Sequence, residues 1–104
     1  MKRRVVWADT ARADYLGILR YIADQNPNAA ERVAVRIETT AVSLGELATG
    51  RPGRVTGTYE KMVSGLPYIL AYEIVGGPEG GEWVAILHVI HGARNWPVEE
   101  WPAG

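Results

Sequence analysis

"TARADYLGILRYIADQNPNAAERVAVRI", residues 10–37, decides the fold. Ala11, Tyr15, Ile18, Leu19 and Ile22 recur at spacings of three and four, which gathers their side chains on one helical face. Asp9 or Thr10 is the expected N-cap. "QNPNAA" then interrupts the pattern. Asn26 can cap a new helix, and Pro27 suits its first position, where the missing N–H would have had no partner. Ala30, Val33, Ile37, Ala41 and Leu44 carry the same period to an expected end near residues 47–49. Two amphipathic helices joined by so short a turn form an αα-hairpin.

The flanking segments supply what the hairpin covers. Residues 3–7, "RRVVW", read as a short strand. "ATGRPGRVTGT" is loop by its glycines and proline. Three β-rich segments follow, at residues 58–63, 68–75 and 83–90, separated by "SGLP" and "GGPEGG". Such spacing predicts a meander of antiparallel strands. The expected architecture is α+β, in the order β-α-α-β-β-β, with the helical hairpin packed on one face of a small, mostly antiparallel sheet. Residues 1–104 form a single domain, with an irregular tail over about 95–104.

Composition excludes several function classes. Hydrophobic residues are 47% of the chain, too many for a disordered segment. The apolar runs are too short to span a bilayer, so no membrane partner is expected. "MKRRVVWADTARADY" lacks the apolar core and small-residue cleavage site of a signal peptide. With no cysteine there is neither a disulfide framework nor thiolate chemistry, which makes a cytoplasmic location the default. Eleven Lys and Arg against twelve Asp and Glu give a net charge of −1, which disfavours nucleic acid as the principal ligand.

Few residues have the spacing that chemistry demands. "GGPEGG" lacks the Lys-Ser/Thr ending of a phosphate loop and opens no helix, so it reads as a hairpin turn. His88 and His91 fall on opposite faces of a strand and cannot share a metal; no metal or other cofactor is expected. His88 shares its expected face with Val84, Ile86 and Ile90 and reads as a partly buried, hydrogen-bonded residue. His91, at the strand exit, is expected to be exposed. Ser43 and Ser64 build no Ser/His/Asp set.

The cations Arg51, Arg54, Lys61 and Arg94 converge on one rim if the first meander strand neighbours the last. There they would stabilise a phosphorane-like transition state or dock an acidic partner. In the second meander strand Tyr68, Leu70, Tyr72 and Ile74 alternate with Ile69, Ala71 and Glu73. Helices cover one face. The other keeps Ile69 and Ala71, an open apolar surface that invites another chain.

The helical hairpin, "GRPGRV", "VSGLPYILAYEI" and "VAILHVIHGARNWP" together resemble the RelE/ParE superfamily of type II toxins over nearly the whole chain. The pattern Gly65, Pro67, Tyr68, Tyr72 and the closing "HGAR" carry the likeness. The resemblance implies a cognate antitoxin, ParD-like or related, as a partner. It also implies one of two activities: ParE-like poisoning of DNA gyrase by binding, or RelE-like ribosome-dependent cleavage of mRNA.

Position by position, the likeness falls closer to the ParE-like branch. Where the nuclease branch carries two lysines this chain has Glu60 and Met62; its arginine is Ile69, and its closing tyrosine is Glu100. Only Arg94 is kept. Each lost charge-assisted contact would remove about 2–4 kcal/mol of transition-state stabilisation. The leading expectation is therefore a gyrase inhibitor with no catalytic residue, in which Arg51, Arg54, Ile69, Ala71 and Arg94 are contact candidates for target or antitoxin. The alternative is an endoribonuclease with a site rebuilt from Lys61, His91 and Arg94. An attenuated member that binds only its antitoxin is a third expectation.

Overall fold

The computed structural model describes residues 2–92, and both the expected tail and Arg94 lie outside them. The elements run β1 (Arg4–Trp7), α1 (Asp9–Ala23), α2 (Pro27–Glu46), β2 (Arg51–Pro52), β3 (Tyr59–Met62), β4 (Tyr68–Gly76) and β5 (Glu82–His91). They build one five-stranded sheet in the order β1-β5-β4-β3-β2, with β1 parallel to β5 and the other pairs antiparallel. β2 is additional to the expected order: two residues of the presumed loop pair Arg51 with Glu60 and Pro52 with Tyr59.

The hairpin forms as its pattern demands. Asn26 accepts the Ala29 N–H at 3.1 Å through its side chain, and Pro27 opens α2. The cap of α1 differs from expectation. Ala8 occupies the N-cap with no side-chain bond, because Thr10 is diverted: its hydroxyl donates to the Leu87 carbonyl at 2.7 Å.

Ala11, Val33, Ile37, Ala41 and Leu44 from the helices meet Leu70, Tyr72, Val84, Ile86 and Val89 in the main core. Gly45 lets the end of α2 close onto β1. Its carbonyl accepts from the Arg3 N–H at 2.7 Å, and a Cβ there would sit 2.6 Å from the Arg3 carbonyl oxygen. Removing the side chain permits a backbone contact that any other residue would block.

One irregularity redirects β5. The register runs Tyr72–Ile86 and then Ala71–His88, so Leu87 is an extra residue in the strand. The alternation flips there. Val84 and Ile86 face the helices, as does Val89 beyond the bulge, whereas Ile90 joins Ile69 and Ala71 in a second buried cluster. The expectation that His88 and Ile90 share a face with Val84 and Ile86 is thereby corrected.

Candidate functional site

Beyond the Trp7–Ile86 pair, which ends the β1–β5 register, one backbone bond joins that side of β5 among the described residues, from the Ala8 N–H to the Ile86 carbonyl at 2.9 Å. Side chains of α1 take over that edge. Thr10 meets the Leu87 carbonyl, and Asp14 accepts the Val89 N–H at 3.1 Å. The same Asp14 oxygen lies 3.1 Å from Nδ1 of His88, whose residue is only 1% exposed. His88 is thus buried and hydrogen-bonded, as its sequence context implies. The Asp14 carboxylate and the Thr10 hydroxyl here replace a missing strand, because buried backbone groups need partners.

On the face of the sheet away from the main core, β3, β4 and β5 set side chains in rows. Glu60 pairs with Ala71, and Ala71 with His88; Met62 pairs with Ile69, and Ile69 with Ile90. Directly paired residues share a face, so positions 60, 62 and 69 do converge. What they present is a carboxylate, a thioether and an alkyl group.

Glu60 is buried, with 4% of its side chain exposed. One carboxylate oxygen accepts from the Arg54 backbone N–H at 3.1 Å and from Arg54 Nε at 3.0 Å; the other accepts from Arg51 at 3.4 Å. Burial by itself would raise the Glu60 pKa. The side-chain and backbone bonds from Arg54, its charge and the bond from Arg51 outweigh that effect and hold the carboxyl below its ordinary value. Gly50 supports the corner with φ 136° and space for no Cβ, since one would sit 2.6 Å from the Glu60 carbonyl oxygen.

The four expected cations do not form one rim among the described residues. β4 lies between β3 and β5, so the first meander strand does not neighbour the last. Arg51 and Arg54 do come together, but on Glu60. Arg54 has 22% of its side chain exposed, and Arg51, at 65%, remains open to solvent. Lys61 points to the other face and donates to the Thr49 hydroxyl at 2.8 Å, beside the Tyr72 hydroxyl, which donates to the Thr49 carbonyl at 2.7 Å. His91 sits across from Tyr68, its ring edge-on at 5.5 Å. Two strand spacings and two residues of rise separate Lys61 from His91, roughly 12 Å between Cα atoms. No shared catalytic contact joins them.

The expected open apolar surface is also corrected. Ile69 is 4% exposed and Ala71 0%, so both are buried within the chain and present little to a partner. The exposed apolar side chains lie elsewhere: Leu16 and Tyr21 on α1, Val35 and Val42 on α2, Leu47 beyond it, and Tyr59 and Met62 on β3. Glu60 and Asp14 were missed as organising residues. Nothing local marks them, since their partners are set by β2 pairing and by the bulge.

The comparisons with known proteins agree with this architecture. Residues 5–96 match the family model described as the ParE toxin of the type II toxin–antitoxin system parDE. A putative toxin, Y4kP, of Sinorhizobium fredii is 38% identical over 99 residues, covering 92% of this chain and 95% of that protein. Toxin RelE2 of Caulobacter vibrioides is 36% identical over 91 residues, covering 88% and 97%. A solved chain of the chromosomal ParDE toxin–antitoxin system from P. aeruginosa superposes with a TM-score of 0.76 at 20% identity. That superposition covers 86% of this chain and 96% of the other, a likeness of fold. With its helical hairpin over a mostly antiparallel sheet and a family match across nearly its whole length, this chain belongs to the ParE toxin family of type II toxin–antitoxin systems.

Proposed function

We propose that this toxin arrests growth by binding DNA gyrase, cleaves no RNA, and is neutralised by a cognate antitoxin of the ParD type. The observation that carries the reading is the row of Glu60, Met62 and Ile69. Cleavage of RNA without a metal must activate a 2′-hydroxyl and neutralise charge building on the phosphate. At the positions where nuclease relatives converge cations, this chain has a carboxylate whose charge is spent on Arg51 and Arg54, flanked by apolar groups. The two guanidiniums beside that row, Arg51 and Arg54, are already bonded to Glu60, whose carboxylate offsets their charge towards a phosphate.

The name of the Caulobacter relative, RelE2, favours a second reading as a ribosome-dependent nuclease. That reading must draw on Lys61, His91 and Arg94. Lys61 is turned to Thr49 and lies far from His91, which argues against it. Arg51, largely exposed, is the described cation best placed to touch a target; Arg54 serves to hold the corner.

Growth arrest on expression without the antitoxin tests the toxin reading, and three variants separate its mechanisms. Binding predicts that Lys61→Ala and His91→Ala remain toxic and that Arg94→Ala is weakened only modestly. Loss of arrest in all three, with folding and antitoxin binding retained, would instead identify a nuclease.

A further inference from the structure

We propose that the solvent-facing side of α2 is a self-association surface on which a second copy of this chain packs its own α2 antiparallel. This goes beyond the toxin's target and is independent of it. On a helix of 3.6 residues per turn, Asn28, Arg32, Val35, Thr39, Val42 and Glu46 lie opposite the buried Ile37. Val35 is 60% exposed and Val42 63%, two β-branched apolar groups left in water two turns apart. Leu47, just past the helix, is 69% exposed.

The charges on this stripe choose both the partner and the direction. Arg32, towards the start of α2, makes no hydrogen bond or ion pair among the described residues. Glu46, at the other end, meets only Lys2, at 3.2 Å, with both side chains mostly exposed. A two-fold axis through Thr39 sets Arg32 level with the partner's Glu46, and Val35 within one residue, about 1.5 Å of rise, of the partner's Val42. Symmetry repeats both contacts. A parallel pairing would oppose Arg32 to Arg32 and Glu46 to Glu46, and like charges face to face are unfavourable. The antiparallel alignment also brings Leu47 level with the partner's Glu31. There a groove lined by Asn28, Glu31, Arg32, Val35 and Arg36 is open to receive it. One patch complementary to itself is what an isologous interface requires.

A single helix-on-helix contact is small among specific interfaces, so the dimer is reversible, with a dissociation constant on the order of micromolar to tens of micromolar. Sedimentation velocity of the full chain across a dilution series reads it. Arg32→Glu and Glu46→Arg each raise that constant at least about tenfold, since each sets like charges against one another at both ends. An equimolar mixture of the two variants regains the dimer, because every end contact in the mixed pair is again opposite in charge. Thr39→Arg, which sets two cations together on the axis, leaves monomer. These side chains face solvent, and unchanged circular dichroism verifies the fold of each variant. A chain that is monomeric throughout the series overturns the proposal. So does a dimer indifferent to the reversals, or two reversed variants that stay monomeric when mixed.

Discussion

The two faces of β4 are buried by different means. Towards the helices, Tyr68, Leu70 and Tyr72 meet Val33, Ile37 and Leu44 in a core of apolar side chains at helical and strand spacing. On the other face Ala71, fully buried, lies between Glu60 of β3 and His88 of β5. Both are buried polar residues tied to charged groups, Glu60 to Arg51 and Arg54 of the preceding strand and loop, His88 to Asp14 of α1. The first face needs only bulk and periodicity. The second needs particular partners, because a buried ionisable group is costly unless it is bonded. The difference separates what makes this a member of its fold from what is particular to this chain: Glu60, Met62 and Ile69, on which the proposed function rests, lie on the second face.

Substitutions on the two faces should therefore fail differently. Leu70→Ala removes a fully buried side chain from the helix-facing core and should cost about 3–4 kcal/mol in urea unfolding. That loss should barely depend on pH. Glu60→Gln should cost roughly 2 kcal/mol at neutral pH, discounted because Arg51 is well exposed. Its cost should depend strongly on pH. The folded Glu60 pKa lies below the ordinary 4.5, so the carboxylate contributes fully above the unfolded value and its contribution is lost as pH falls through the folded one. The gap between wild type and Glu60→Gln should narrow from about pH 5 downward. A gap that widens in acid would show that burial, not Arg54 and Arg51, controls the group.

Two smaller tests sharpen the contrast. Asp14→Ala removes the acceptor for the Val89 N–H and the partner of His88; a loss of about 1–2 kcal/mol is expected, with faster amide exchange at Val89 than at Val84. Tyr72→Phe keeps the packing but deletes the bond to the Thr49 carbonyl, and should cost only about 1 kcal/mol.

The same division explains what was legible in the sequence. The period of Ala30, Val33, Ile37, Ala41 and Leu44 specifies the buried side of α2 without tertiary information, and Asn26-Pro27 marks its start. The meander follows from its turn glycines, Gly65, Gly80 and Gly81, all with positive φ. Residues whose partners are remote were not legible. Thr10 has the chemistry of a cap, yet serves the open edge of β5, which exists only because β1 is short. Leu87 as a bulge leaves no local mark and reverses the faces of Ile90 and His88. Glu60 reads as a surface carboxylate until β2 brings Arg51 beside it. Glu60, Met62 and Ile69 were legible from the resemblance as departures from the nuclease branch, and the pairing of β3 with β4 brings them onto one face.

The most direct measurement is a paired assay with the purified toxin: supercoiling and cleavage-complex formation by DNA gyrase in one arm, mRNA integrity on programmed ribosomes in the other. Inhibited gyrase and intact mRNA are the expected result of the proposed binding mechanism. Cut mRNA with unaffected gyrase would contradict it and make Lys61, His91 and Arg94 the residues to pursue.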